Sequence, residues 1–112
     1  MFPRGSRLRR KKDIAAVLSR GLRVGTPALT LRMINTKFDH PKITVVVGTV
    51  VSKKATVRNR VKRQLRHILA AELKSVTRGV DLMFTIRISF LNMSGPERLS
   101  LVHSILKRAR LI

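Results

Sequence analysis

SKKATVRNRVKRQLRHIL, residues 52–69, places seven basic residues in its first fifteen positions and no acid anywhere. At 100° per residue from Val57, the apolar positions 57, 61, 65, 68, 69 and 73 fall within an arc of roughly 160°. That spacing predicts an amphipathic helix, with Thr56 able to cap it. Asn59, Arg60, Arg63, Arg66, His67 and Lys74 share the polar side. Arg58 and Lys62 sit at its margin, where their stems can pack while the charged heads reach out. An ordinary solvated helix face mixes signs, because opposite charges at i, i+4 attract and like charges repel. This helix has no acid before Glu72, so its cations suit an external polyanion. Four of the basic residues on it are arginines. A guanidinium fork matches phosphate oxygens bidentately and stacks on bases, and an ammonium does neither. Asn59 adds an amide for a base edge or a sugar hydroxyl, and Lys53 and Lys54 extend the positive surface toward the preceding strand.

Composition points the same way. A chain of 112 residues is one domain by size, with 44% apolar residues for one modest core. Its 25 Lys and Arg against 5 Asp and Glu give a formal charge of +20. Self-repulsion on that scale destabilises the compact state and favours binding a polyanion. Nucleic acid is the leading candidate and an anionic membrane the second. The absence of cysteine excludes disulfides, thiolate chemistry and cysteine-ligated zinc. The most apolar run, Ile43–Val51, is about nine residues, far short of a membrane-spanning helix. No apolar stretch follows the basic N-terminus as a signal peptide would need. The expectation is a soluble, intracellular protein.

Along the chain, residues 1–11 read as a basic arm. A short helix is expected over Asp13–Arg20, with Ile14, Val17 and Leu18 on one side and Gly21 as its stop. Ala28–Ile34 alternates, with Leu29, Leu31 and Met33 facing one way and Ala28, Thr30 and Arg32 the other, as a half-buried strand does. Its expected partner is Ile43–Val51, bounded by Pro41, with Asn35–Lys42 as a hairpin loop. A third strand over Val80–Ile88 puts residues 80, 82, 84, 86 and 88 on one face. The closing helix starts at Ser94, Gly95 and Pro96 and carries Leu99, Val102, Leu106 and Ala109 at helical spacing. The fold class is α+β: one sheet with helices packed on it, in a single domain spanning 1–112.

Catalytic constellations are absent. Asp13, Asp39, Glu72, Asp81 and Glu97 are scattered, with no pair spaced to hold magnesium for phosphodiester cleavage. His40, His67 and His103 have no sequence-near partner for metal or acid–base work. Gly48 is read inside a strand, and VSKK lacks the glycines of a phosphate-binding loop. No catalytic residue, metal ligand or cofactor is therefore assigned to the chain. It reads as an RNA or DNA binder that leaves the chemistry to something else.

RNRVKRQLR, Arg58–Arg66, preceded by VVSKK, Val50–Lys54, resembles the signature of the protein subunit of bacterial ribonuclease P. RNR alone is weak, but a strand, SKK and a helix opening RNR-x-KR-x-x-R are specific together. Leu8, Asp13, Val17 and Gly21 match the family's first-helix pattern. Asp81 and Arg87 match a late strand, and LKRARL, Leu106–Leu111, matches the C-terminal helix end. The resemblance covers essentially the whole chain. It implies a compact α/β sandwich in the order α-β-β-β-α-β-α, with an extra short strand near Leu22–Val24. It also implies a left-handed β-α-β crossover through the central helix, against the usual hand.

For function, the resemblance implies a cytoplasmic, Mg2+-dependent ribozyme that removes 5′ leaders from precursor tRNA, the RNA subunit carrying the active site. By that likeness Arg58, Asn59, Arg60, Lys62, Arg63 and Arg66 contact the catalytic RNA. A cleft between the first helix and the sheet holds the leader, its candidate residues being Ile14, Leu18, Arg32, Ser52, Lys53 and Lys54. No protein partner and no membrane is implied. Three departures stand out. Ile14 and Leu18 replace aromatics, Arg32 replaces a tyrosine, and ATV, residues 55–57, makes a loop about three residues shorter than usual. A ribosomal-type or general RNA-binding protein would share the charge and the fold class, but not the SKK…RNRVKR combination. A stand-alone nuclease needs clustered carboxylates or histidines, and a DNA-binding regulator needs a helix-turn-helix or a dimer interface.

Overall fold

Four strands form one sheet in the computed structural model, which describes residues 7–112. In chain order the elements are α1 (Lys11–Arg20), β1 (Leu22–Gly25), β2 (Leu29–Asn35), β3 (Pro41–Val47), α2 (Ala55–Glu72), β4 (Val80–Ile86), a 3-10 helix (Ile88–Asn92) and α3 (Gly95–Arg108). The α-β-β-β-α-β-α order is the expected one, with the short β1 where the resemblance put it. Across the sheet the order is β1-β2-β4-β3; β4 runs antiparallel to β2 and parallel to β3. Among the described residues no helix is long and apolar enough to cross a membrane.

The pairing corrects one expectation. β2 and β3 are not a hairpin, because β4 lies between them. The reason is burial: six of the seven β4 residues are buried, on both faces. A strand buried on both sides belongs inside a sheet, covered above and below. β3 is also shorter than expected, ending at Val47. Gly48 lies outside the strand, and Val50, in the turn beyond it, is 81% exposed. Pro41 opens β3, where the missing N–H is tolerated, and Ile88 leaves β4 for the exposed side of the 3-10 helix.

Alternation assigns the two faces. Leu29, Leu31, Ile43, Val45, Leu82 and Phe84 lie under Val61, Leu65 and Leu69 of α2 and Val102, Ile105 and Leu106 of α3. The other face carries Ile34, Val46 and Met83 beneath α1, packed against Leu8, Ile14 and Val17. Leu18 and Leu99, expected on the apolar arcs, stay 49% and 45% exposed at their rims. α1 begins at Lys11, two residues before the expected start.

Arg7 pairs in parallel with Ile43, and the Leu8 N–H donates to the Ile43 carbonyl at 2.7 Å. Leu8 is buried. The segment read as a basic arm is therefore fastened to the outer edge of β3 at Arg7 and Leu8; residues 1–6 of that arm lie outside the described residues. α2 is capped by Lys54 with no side-chain bond, not by Thr56. Residues 55–57 are accordingly its first turn and not a shortened loop. α3 has a complete capping box: the Ser94 hydroxyl accepts from the Glu97 N–H at 3.2 Å, and the Ser94 N–H donates to Glu97 Oε1 at 2.8 Å.

Candidate nucleic-acid interface

The apolar stripe of α2 decides where its cations point. Val61, Leu65 and Leu69 are almost completely buried, so Asn59, Arg60 and Arg63 are held out in solvent. Arg58, Lys62 and Arg66 are half-buried, with Arg58 and Lys62 at the margin the periodicity predicts. Arg58 Nη1 donates to the Ser52 carbonyl at 2.8 Å, and the Lys54 N–H donates to Ser52 Oγ at 3.3 Å. Those bonds fold the Ser52–Lys54 segment onto the start of α2, leaving Lys53 and Lys54 exposed. The first turn contains no acid, so the positive end of the helix dipole adds to the field.

Arg66 extends this surface around the edge of the sheet. Burial, and then the nearby Arg7 guanidinium, lower its pKa; it remains a cation, since arginine does not deprotonate in proteins. Arg7 thus adds to this basic surface, although sequence reasoning left it in an undifferentiated arm. Among the described residues, the carboxylate pairs within 4 Å are His40–Asp39 and His103–Glu72. No α2 arginine is matched by an acid of the described chain.

Arg98 does something different. It donates to the carbonyls of Phe90 at 3.1 Å and Leu91 at 3.3 Å and to Gln64 Oε1 at 2.7 Å, with its guanidinium 4.6 Å from the Phe90 ring centroid. This cation locks α3 and the 3-10 helix to α2. Nothing in the local sequence distinguishes it from an RNA-contacting arginine.

The α1 side of the sheet is more mixed. Arg32 is half-buried and lies between Met83 of β4 and exposed Arg23 of β1. Arg23 escapes sequence reasoning because four-residue β1 is too short for periodicity. Ile14 packs into the cluster formed by Leu8, Val17 and Met83, whereas Leu18 is open to solvent. A groove of about 620 Å³ at the end of β3 and β4 is lined by Val46, Thr85 and Arg87 and reaches Val50 and Val51, directly before Ser52. Ser52–Lys54 therefore lies between the groove and α2, while Ile14 and Arg32 belong to the sheet surface under and beside α1.

Asp81 is 5% exposed, and its Oδ1 has no hydrogen-bond partner among the described residues. Burial raises its pKa first, then the charge of Asp13, with Lys42 pulling the other way. Among the described residues no three His, Asp or Glu side chains gather into one group.

The family model for ribonuclease P matches residues 2–110 of this chain. The chain belongs to the ribonuclease P protein family. It is similar to the ribonuclease P protein component of a Pseudanabaena species, 37% identical over 87 residues, covering 77% of this chain and 75% of that protein. A Cyanothece counterpart is 30% identical over 129 residues, covering 100% and 98%. The fold matches the Staphylococcus aureus RNase P protein with a TM-score of 0.84 at 21% identity, covering 95% of this chain and 96% of that one. The Thermotoga maritima RNase P protein matches at 0.81 and 22%, covering 91% and 96%. The family's general role is tRNA processing.

Proposed function

We propose that this chain is the protein subunit of a ribonuclease P holoenzyme. It binds the catalytic RNA through α2 and the 5′ leader of precursor tRNA on the α1 side of the sheet, promoting Mg2+-dependent removal of the leader. The observation that carries this reading is the electrostatics of α2: a fully packed inner face and an outer face of cations that no acid of the described chain neutralises. Arg60, Arg63 and Asn59 engage the RNA subunit directly, with Arg58, Lys62 and Arg66 alongside. Lys53 and Lys54 continue the charge toward the groove, and Arg32 and Leu18, on the α1 side of the sheet, are available to the leader. The protein positions and neutralises phosphates, and the RNA subunit supplies the bond-breaking site.

Reconstitution tests it. Purified protein, cognate RNA subunit and precursor tRNA are combined at low magnesium, each omitted in turn. Cleavage should require the RNA subunit and rise sharply with the protein. Absence of any stimulation, or metal-dependent cleavage by rigorously RNA-free protein, overturns the reading.

A further inference from the structure

Among the described residues Phe38 is the one exposed aromatic: it is 55% exposed, while Phe84 and Phe90 are fully buried. It sits between β2 and β3 in a braced segment. The Thr36 N–H donates to the Gly79 carbonyl at 2.9 Å, and the Phe38 N–H donates to Thr36 Oγ1 at 3.4 Å. At Gly79 any side chain would collide with the Phe38 carbonyl, so the loop rests directly on the backbone there. Lys42 Nζ stands 3.9 Å from the Phe38 ring centroid, and the His40 ring lies 6.4 Å away, tilted by 51°. Lys42 pairs with Asp81 and, through it, with Ile34 of the α1-side cluster. The ring therefore lies at the end of the sheet face that α1 covers.

Holding half of a phenyl ring in water forgoes the gain of burying it, and an exposed cation–π contact is weak compensation. A firmly held aromatic flanked by lysines is, however, what sequence-tolerant binding of single strands uses: a π-face for a base, with cations for the phosphates on either side. We propose that Phe38 is a stacking platform for one unpaired RNA base, with Lys37 and Lys42 serving the adjoining phosphates. The inference deepens the reading above and rests on its RNA partner. It also restores a π-face to a chain whose Ile14, Leu18 and Arg32 supply none.

The test compares full-length wild type, Phe38→Leu and Phe38→Trp for binding to a short single-stranded oligoadenylate and to inorganic polyphosphate of matched charge. Phe38→Leu should weaken oligoadenylate binding by about 5- to 100-fold, leave polyphosphate binding unchanged, and be rescued by Phe38→Trp. Unchanged oligoadenylate affinity, or equal loss toward polyphosphate, overturns the proposal. In the assembled holoenzyme, lost discrimination between precursor and mature tRNA assigns the base to the leader. Lost affinity for the RNA subunit assigns it there instead, and no change in either overturns the platform. If wild type fails to stimulate cleavage with its RNA subunit, the holoenzyme reading falls, while the oligoadenylate comparison still decides Phe38.

Discussion

Asp81 lies on the α1 face of β4 with an unpartnered carboxylate oxygen, and its pKa is raised chiefly by burial. A raised carboxyl pKa means that the folded state binds more protons than the unfolded chain between the two pKa values. Stability is then greatest below the unfolded value and falls as pH rises through the folded one. At neutral pH the ionised side chain is a net cost, so Asp81→Asn should raise the urea midpoint there, with the gain shrinking in acid. A variant less stable at neutral pH would show that the carboxylate is held by a partner and not merely desolvated. Two neighbouring positions on α1 separate packing from contact. Ile14 is in the core cluster and Leu18 is not. Ile14→Phe should overpack and destabilise by about 1–3 kcal/mol. Leu18→Phe should keep stability and tighten precursor tRNA relative to mature tRNA, since a base gains a stacking surface. Equal leader affinity for Leu18→Phe and wild type would remove Leu18 from the cleft.

Each helix divides into a packed and a free side, and α2 offers the sharpest contrast. Leu65 is fully buried, so Leu65→Ala should lower unfolding free energy by about 2–5 kcal/mol and weaken RNA binding only through instability. Arg60 and Arg63 are exposed. Reversing both to Glu should leave thermal unfolding nearly unchanged and abolish RNA-subunit binding. Wild-type affinity should fall with salt at a log–log slope of about −4 to −5 if some six phosphates are neutralised. Unaltered affinity and slope in the double variant would locate the interface elsewhere. The two faces of α2 were legible in sequence because 3.6-residue periodicity reports burial directly. Its cap was not: Thr56 is a better capping residue than Lys54, yet the chain turns into the helix two residues earlier, where Arg58 ties back to Ser52. Leu99 misled for another reason. Periodicity finds the arc, but where the neighbouring element stops decides which rim residue is covered.

For the whole molecule, alternation told which face each strand residue takes but not which strand lies beside which. Pairing β2 with β3 is the local solution; the observed sheet instead inserts a strand whose apolar residues come much later. That order has a kinetic consequence. Until β4 exists, β3 has no neighbour on its inner side, and β2 has only short β1. On a ribosome adding about 5–20 residues per second, these strands wait roughly 2–10 s for β4 to be made. Non-local closure of this kind is also slow in free solution, so refolding of the full chain should lag behind helix formation, as stopped-flow circular dichroism at a helix wavelength set against pulsed hydrogen exchange of the strand amides can resolve. Coincident helix and strand phases would contradict this. Waiting strands are an invitation to pair with other nascent copies. Most of the 25 basic residues are already in place by then, and like-charged chains avoid one another. The same repulsion that weakens the finished domain acts, during synthesis, as the unfinished chain's own protection against aggregation.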